Sequence, residues 1–379
     1  MKNTRLVLSC GFALFSMFFG SGNLVFPILV GTESEGHYLL AALGILLSGV
    51  VVPFLGVLGM MLYEGEIDQF FHTFGKKGIF VFSLLALALM GPFGVLARCL
   101  TVAHGALQLL IPQASLVPSS LFLCVLIYLL ASNKRKIVGL LGTLLTPLLL
   151  LALGAIAYFG IFQGKFPMAK EGAGFQAFGN GFLQGYQTMD LLAAFFFSQF
   201  VIRQLGQSLP QSKLQERVKV FFQAAFVGGF LLCSIYFVLV LLGNLYVSLL
   251  VGKAPQEMLG QIALEALGPF AALFLCLAVV FACLTTAIVL TSLSADFLEN
   301  QVLKGRIRHS HALMSILFIA FIVSTLDFGG IAKFLGPLLE LVYPALIALT
   351  VVNIASKFYR FNPSHWPFTL TFLAKLSQL

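Results

Sequence analysis

FFGSGNLVFP, residues 18 to 27, sets Gly20, Ser21, Gly22 and Asn23 inside an apolar run and closes it with Pro27. The two glycines weaken a helix, and Pro27 has no N–H to offer the carbonyl of Asn23 four residues back. One carbonyl is therefore freed where the glycines lie. In hydrocarbon an unsatisfied backbone group costs several kcal/mol, so irregular backbone at that depth survives only against protein, water or a ligand. Two readings stand at this point. The small residues can simply let helices pack closely. Alternatively the segment is interrupted, and a second half-helix opens near Leu24 with N–H groups suited to a carboxylate, while the last carbonyls of the first half face a cation.

Everything around the stretch is apolar. Of 379 residues 59% are hydrophobic and 9% charged, against about 45–50% and about 25% for a soluble domain. The chain is an integral membrane protein. Cys10, Cys99, Cys124, Cys233, Cys276 and Cys283 all fall in apolar stretches with no CxxC spacing. They read as small core residues, neither a disulfide framework nor a zinc site. No cofactor is expected, and no metal beyond an alkali cation. Lys2 and Arg5 before VLSC (7–10) resemble a lipoprotein signal. The apolar stretch before Cys10 runs only from Leu6 to Leu8, short of the roughly 7–15 residues of a signal core, so the first segment is expected to be retained.

A spanning helix takes about 20 apolar residues, with a range of about 17–25. That rule gives ten spans, near 6–30, 38–62, 78–110, 116–132, 137–162, 179–202, 218–248, 265–297, 311–326 and 331–352. Trp366 to Leu379 is too short to cross and reads as a stub or a surface helix. Between these spans the basic residues alternate. One side holds Lys2, Arg5, Lys76, Lys77, Lys134, Arg135, Lys136, Arg203, Lys213, Arg217, Lys219, Lys304, Arg306, Arg308, Lys357 and Arg360, and the other holds Lys165, Lys170, Lys253 and Lys333. By the positive-inside rule the N-terminus is cytoplasmic. The net charge of +8 is thus explained by topology: membrane lipid surrounds the chain, and no nucleic-acid partner is expected. Span 6 then runs opposite to span 1, which is the arithmetic of a five-plus-five inverted repeat with discontinuous spans at the start of each half.

Three other spans carry polar groups at depth. Span 6 reads GNGFLQGYQTMDLLAAFFFS from Gly179, placing Gly185, Tyr186, Gln187, Thr188 and Asp190 within two turns. A mid-span aspartate costs about 2.5–3.5 kcal/mol on insertion scales and reads as functional by default. It can also be the cap of a second half-helix. Span 8 contains ACLTTAIVLTSLSADF from Ala282. The hydroxyls of Thr285 and Thr286, with freed carbonyls, can replace the water around an alkali cation, or they can bond the carbonyl three or four residues back. Span 3 carries MGPFGVLARC from Met90, where Gly91, Pro92 and Gly94 imply a kink. Arg98 can pair with Asp190, neutralise a substrate carboxylate, or snorkel. His104, Glu265, Asp327 and Glu340 lie near span ends or on inner faces, and Glu340 before Pro344 is a gating or structural candidate.

These blocks resemble a known family. FFGSGNLVFP, GPFGVLAR with Thr101 and Val102, GNGFLQGYQTMD, ACLTTAIVLT and LVYPALIAL (341–349) occur in the order and spacing of bacterial branched-chain amino acid:cation symporters, over residues 6 to 352. The resemblance implies an all-α polytopic membrane protein of the LeuT-like five-plus-five fold, in the cell (inner) membrane. It implies import of leucine, isoleucine and valine with sodium, or with protons, by alternating access. The alternatives are another small neutral amino acid or proton coupling. A membrane enzyme or a channel is disfavoured, because the histidines are scattered and no long polar stripe is found. Repeat one is expected over about 6–162 and repeat two over about 179–352, making residues 1–352 the transport core and 353–379 a short tail. Family members carry further spans beyond the tenth, so the core is expected to function without them. The substrate site implied is Gly20, Ser21, Gly22, Asn23, Tyr186, Thr188 and Asp190. The cation site implied is Phe19, Asn23, Thr285 and Thr286.

Overall fold

The computed structural model describes residues 2–132, 137–208 and 214–377. Lys134, Arg135, Lys136 and Lys213, counted above on the basic side, lie outside these residues, as do the side chains of Lys2 and Arg203. Every regular element among the described residues is helical. Span 1 is α1 (Lys2–Phe18) followed by α2 (Ser21–Thr32), and span 2 is α3 (Tyr38–Leu46) joined through a π turn (Leu47–Val51) to α4 (Val52–Leu62). After the short α5 (Ile67–Phe70), α6 (Gly75–Met90) and α7 (Val95–Gln108) form span 3, and α8 (Leu116–Ala131) and α9 (Ile137–Gln163) form spans 4 and 5. The second half opens with α10 (Gly174–Tyr186) and α11 (Asp190–Ser208). It continues through α12 (Leu214–Leu245), the short α13 (Val247–Leu250), α14 (Met258–Phe297), α15 (His309–Ser324), α16 (Asp327–Tyr359) and the terminal α17 (Trp366–Leu376).

Several helices overrun their apolar windows. The tenth span, expected over 331–352, is helical from Asp327 to Tyr359, and the sixth begins at Gly174. Hydropathy marks the part of a helix that must face lipid, while the backbone ladder continues into the polar ends. Among the described residues five helical stretches, one of them span 3 with its break, are long and apolar enough to cross a bilayer. The first two helices pass the same test as one span bent by 71°. Large apolar side chains such as Phe122, Phe226 and Phe318 stay exposed, as a lipid-facing surface requires.

The core lies where the halves exchange helices. α1 and α2 pack on α12, and α10 and α11 pack on α3 and α4, so the broken helices of each half lie against the second span of the other. Bare backbone makes two of these crossings. A Cβ on Gly31 would strike the Val240 carbonyl and one on Gly243 the Ile28 carbonyl, where α2 meets α12. A Cβ on Gly44 would strike the Phe178 carbonyl and one on Gly181 the Ala41 carbonyl, where α3 meets α10. Small residues let membrane helices approach this closely. The reciprocal pattern is the inverted repeat expressed as packing.

Candidate functional site

The first interruption is two residues long. α1 stops at Phe18 and α2 starts at Ser21, with Gly20 extended at φ −113 and ψ −166. The Gly20 N–H donates to the Phe18 carbonyl at 2.9 Å and to Asn23 Oδ1 at 3.1 Å. Asn23 thus closes the break from within, as an N-terminal capping side chain does. The N–H groups of Ser21, Gly22 and Asn23 have no backbone acceptor among the described residues.

The second interruption spans Gln187 to Met189. Tyr186 ends α10 and Asp190 begins α11. Met189, fully buried, holds φ at +60. A left-handed backbone costs a non-glycine residue roughly 1–2 kcal/mol, so surrounding contacts must hold it. The freed Gln187 carbonyl accepts Arg98 Nη1 at 2.6 Å, and Gln187 Oε1 accepts Arg98 Nη2 at 2.7 Å. The Thr188 hydroxyl donates to the Gly185 carbonyl at 2.9 Å.

The two breaks touch. A Cβ on Gly22 would lie 3.5 Å from Thr188 Cα. Asn23 Nδ2 donates to Asp190 Oδ2 at 2.7 Å and to the Tyr236 hydroxyl at 2.5 Å, and that hydroxyl donates to Asp190 Oδ2 at 3.2 Å. All three side chains are buried. One asparagine therefore ties the break in span 1 to the start of α11 and to span 7.

Of the residues expected at the substrate site, Gly20, Gly22, Asn23, Thr188 and Asp190 come together here. Ser21 stands beside them, its hydroxyl accepting the Cys99 thiol at 3.5 Å. Tyr186 packs against Tyr343 of α16 with the rings tilted by 37° and their centroids 4.9 Å apart. Of the residues expected around a cation, Thr286 faces the first break, its Cγ2 and Oγ1 lying 3.6 and 3.9 Å from where a Cβ on Gly20 would stand. Thr285 donates to the Ala282 carbonyl at 2.8 Å, the local back-bond weighed above. Phe19 is buried, with its ring stacked on Phe15 at 5.0 Å.

Arg98 is corrected on two counts. It neither pairs with Asp190 nor snorkels: it is 1% exposed, bonded to Gln187, with its guanidinium 5.0 Å from the Phe26 ring and 5.5 Å from that of Phe328. The span 3 kink is a break at residues 91–94. Glu340 is exposed, and Asp327 accepts from Gln256 at 2.7 Å. Tyr236, Phe328 and Tyr343 escaped the sequence reading. Tyrosines belong to the interfaces of membrane helices, so one near the middle of a span was the available signal. A small recess between α2, α7 and α14 is lined by residues such as Leu24, Val102 and Val279 and by none of the break residues.

A sequence model described as branched-chain amino acid transport protein matches residues 3–377. The chain belongs to that family. A Staphylococcus aureus relative described as a branched-chain amino acid carrier is 29% identical over 380 residues, covering 94% of this chain and 83% of the relative. A Staphylococcus epidermidis relative with the same description is 26% identical over 385 residues, at the same coverage. Among solved structures, MhsT in complex with L-phenylalanine superposes with a TM-score of 0.64 at 15% identity, covering 97% of this chain and 96% of that one. Inward-facing Mhp1 superposes with a TM-score of 0.64 at 13% identity, covering 96% and 79%. Both have the LeuT fold, and so does this branched-chain amino acid transport family member. It is a multi-pass membrane transporter of amino acids and not an enzyme.

Proposed function

We propose that the protein imports leucine, isoleucine and valine together with sodium, by alternating access across the cell (inner) membrane, with its N-terminus in the cytoplasm. The observation that carries this reading is the meeting of the two breaks, with Thr286 at one of them. The relatives' description as branched-chain amino acid carriers supports the substrate class.

In this reading the substrate carboxylate rests on the backbone N–H groups around Ser21 to Asn23, at the positive end of α2. The ammonium meets the carbonyls of the second break and Asp190. Sodium sits between the end of α1 around Phe19 and the hydroxyls of Thr285 and Thr286. Each ligand shifts the outward–inward equilibrium only by its differential affinity for the two states, so coupling requires that both favour the same one. A proton-coupled mechanism is the second reading, since Asp190 is a buried carboxyl held by neutral donors that a proton can reach by exchange of partners.

Uptake of labelled leucine into liposomes, with sodium and proton gradients imposed separately and other amino acids as competitors, tests the reading. Sodium should drive accumulation, and Thr286→Ala should raise the sodium needed for half-maximal uptake about 10-fold while leaving leucine affinity at saturating sodium within about 2-fold, as loss of one ion ligand worth about 1.4 kcal/mol predicts. Accumulation driven by a pH gradient alone, or unchanged sodium activation in the variant, would refute it.

A further inference from the structure

Arg98 is a fixed cation in the middle of a membrane protein, and no anionic side chain among the described residues answers it. It is 1% exposed, its two terminal nitrogens go to the uncharged Gln187, and its Nε has no hydrogen-bond partner. Among the described residues no carboxylate pairs with it. A guanidinium cannot shed its proton to escape burial, and the faces of Phe26 and Phe328 return only part of the lost hydration. A buried charge without a counter-charge is costly enough that its presence points to an anion arriving from outside the chain.

The position says which anion. Phe26, beneath the guanidinium, also lies 3.4 Å from where a Cβ on Gly22 would stand. The N–H groups opening α2, which have no backbone acceptor among the described residues, and the unpartnered Nε of Arg98 thus share one ring as a neighbour. Cys99, next in sequence to Arg98, touches Ser21. Arg98 and the start of α2 are therefore two positive features converging on one spot, the place given above to the substrate carboxylate.

We propose that Arg98 is a substrate-binding residue that anchors the carboxylate of the amino acid. It binds through Nε and through the nitrogen that now holds Gln187 Oε1, exchanging that amide oxygen for a carboxylate oxygen while the Gln187 main-chain carbonyl keeps the other nitrogen. The result is the planar, two-bond clasp that arginine forms with carboxylates. The swap also releases the Gln187 side chain, whose Nε2 reaches the Ala332 carbonyl of α16 at 3.4 Å, so carboxylate binding is felt at span 10. The assignment rests on reading the breaks as the substrate site. It adds that an α-carboxylate is required and that amides and alcohols of the same side chain are rejected.

Binding of labelled L-leucine to the full chain in detergent, competed by unlabelled L-leucine and by L-leucine amide, tests this. The wild type should prefer leucine by more than about 100-fold. Arg98→Gln should weaken leucine by about 10- to 150-fold, the range for a charge-assisted bond, and weaken leucine amide by less than about 3-fold, so the preference collapses. Arg98→Lys, which keeps the charge and loses the clasp, should show an intermediate preference and serves if the glutamine variant aggregates. Equal losses for both ligands in either variant would mean that Arg98 serves only the Gln187 carbonyl, and would overturn the proposal. So would wild-type binding of leucine amide within about 3-fold of leucine, a result that needs no variant. Wild-type protein that binds no branched-chain amino acid overturns the functional reading and this assignment together, whereas wild-type binding with parallel losses overturns Arg98 alone.

Discussion

The breaks in spans 1 and 6 do the same job by different means. At the first, the residues that permit the interruption are local: Gly20 is extended, and Asn23 three residues on takes its N–H. At the second there is no glycine. Met189 is held left-handed by its packing, and the freed carbonyl of Gln187 is answered from span 3 by Arg98. One break is encoded where it occurs; the other is imposed by neighbours. A locally encoded break should tolerate changes around it and fail when its own cap is removed, and an imposed one should depend on what packs against it.

Removing the cap has the largest expected effect. Asn23→Ala deletes the bonds to Gly20, Asp190 and Tyr236 together. It should cost about 3 kcal/mol, since each buried partner left unsatisfied costs about 1–3 kcal/mol, and abolish leucine uptake. Thermal unfolding in detergent alongside uptake checks both. Met189→Gly comes next, and its sign separates strain from packing. It relieves a left-handed backbone worth about 1–2 kcal/mol but empties a fully buried side chain worth about 2–5 kcal/mol. A net loss of about 2 kcal/mol is expected in the same unfolding assay, and stabilisation instead would mean that the second break, too, is local. Gly20→Ala should do least to stability. Its φ and ψ suit alanine, and the nearest atoms stand at 3.6 to 3.9 Å, so unfolding should move by less than about 0.5 kcal/mol. The new methyl faces Thr286, so sodium activation of uptake should weaken more than stability does.

The same difference explains what the sequence disclosed. Gly20, Gly22 and Pro27 act through their own backbone, and the first break is legible from ten residues. The window 185–190 pointed to the second break, but nothing in it singles out Met189, whose strained conformation is supplied by the fold. Arg98 was visible as a buried charge, yet its partner could not be read, because that depends on which carbonyl of another span is freed. Tyr236 and Tyr343 come from spans far away in sequence and join the site only when the halves exchange helices. The close crossings at Gly31–Gly243 and Gly44–Gly181 could not be read either, since each glycine is placed by a carbonyl on its partner helix.

Those glycine crossings also constrain how the machine can move. Where main chain lies directly on main chain there are no rotamers to repack, so neither helix can roll or slip a ridge past the other in small steps. α2 is riveted to α12 and α10 to α3, and each couple must swing as a single lever. The displacements that open one side and shut the other then fall on joints made of side chains, which can take up two discrete arrangements. The best placed of these is the knot of Asn23, Asp190 and Tyr236, which links one lever to the helix that begins below the other.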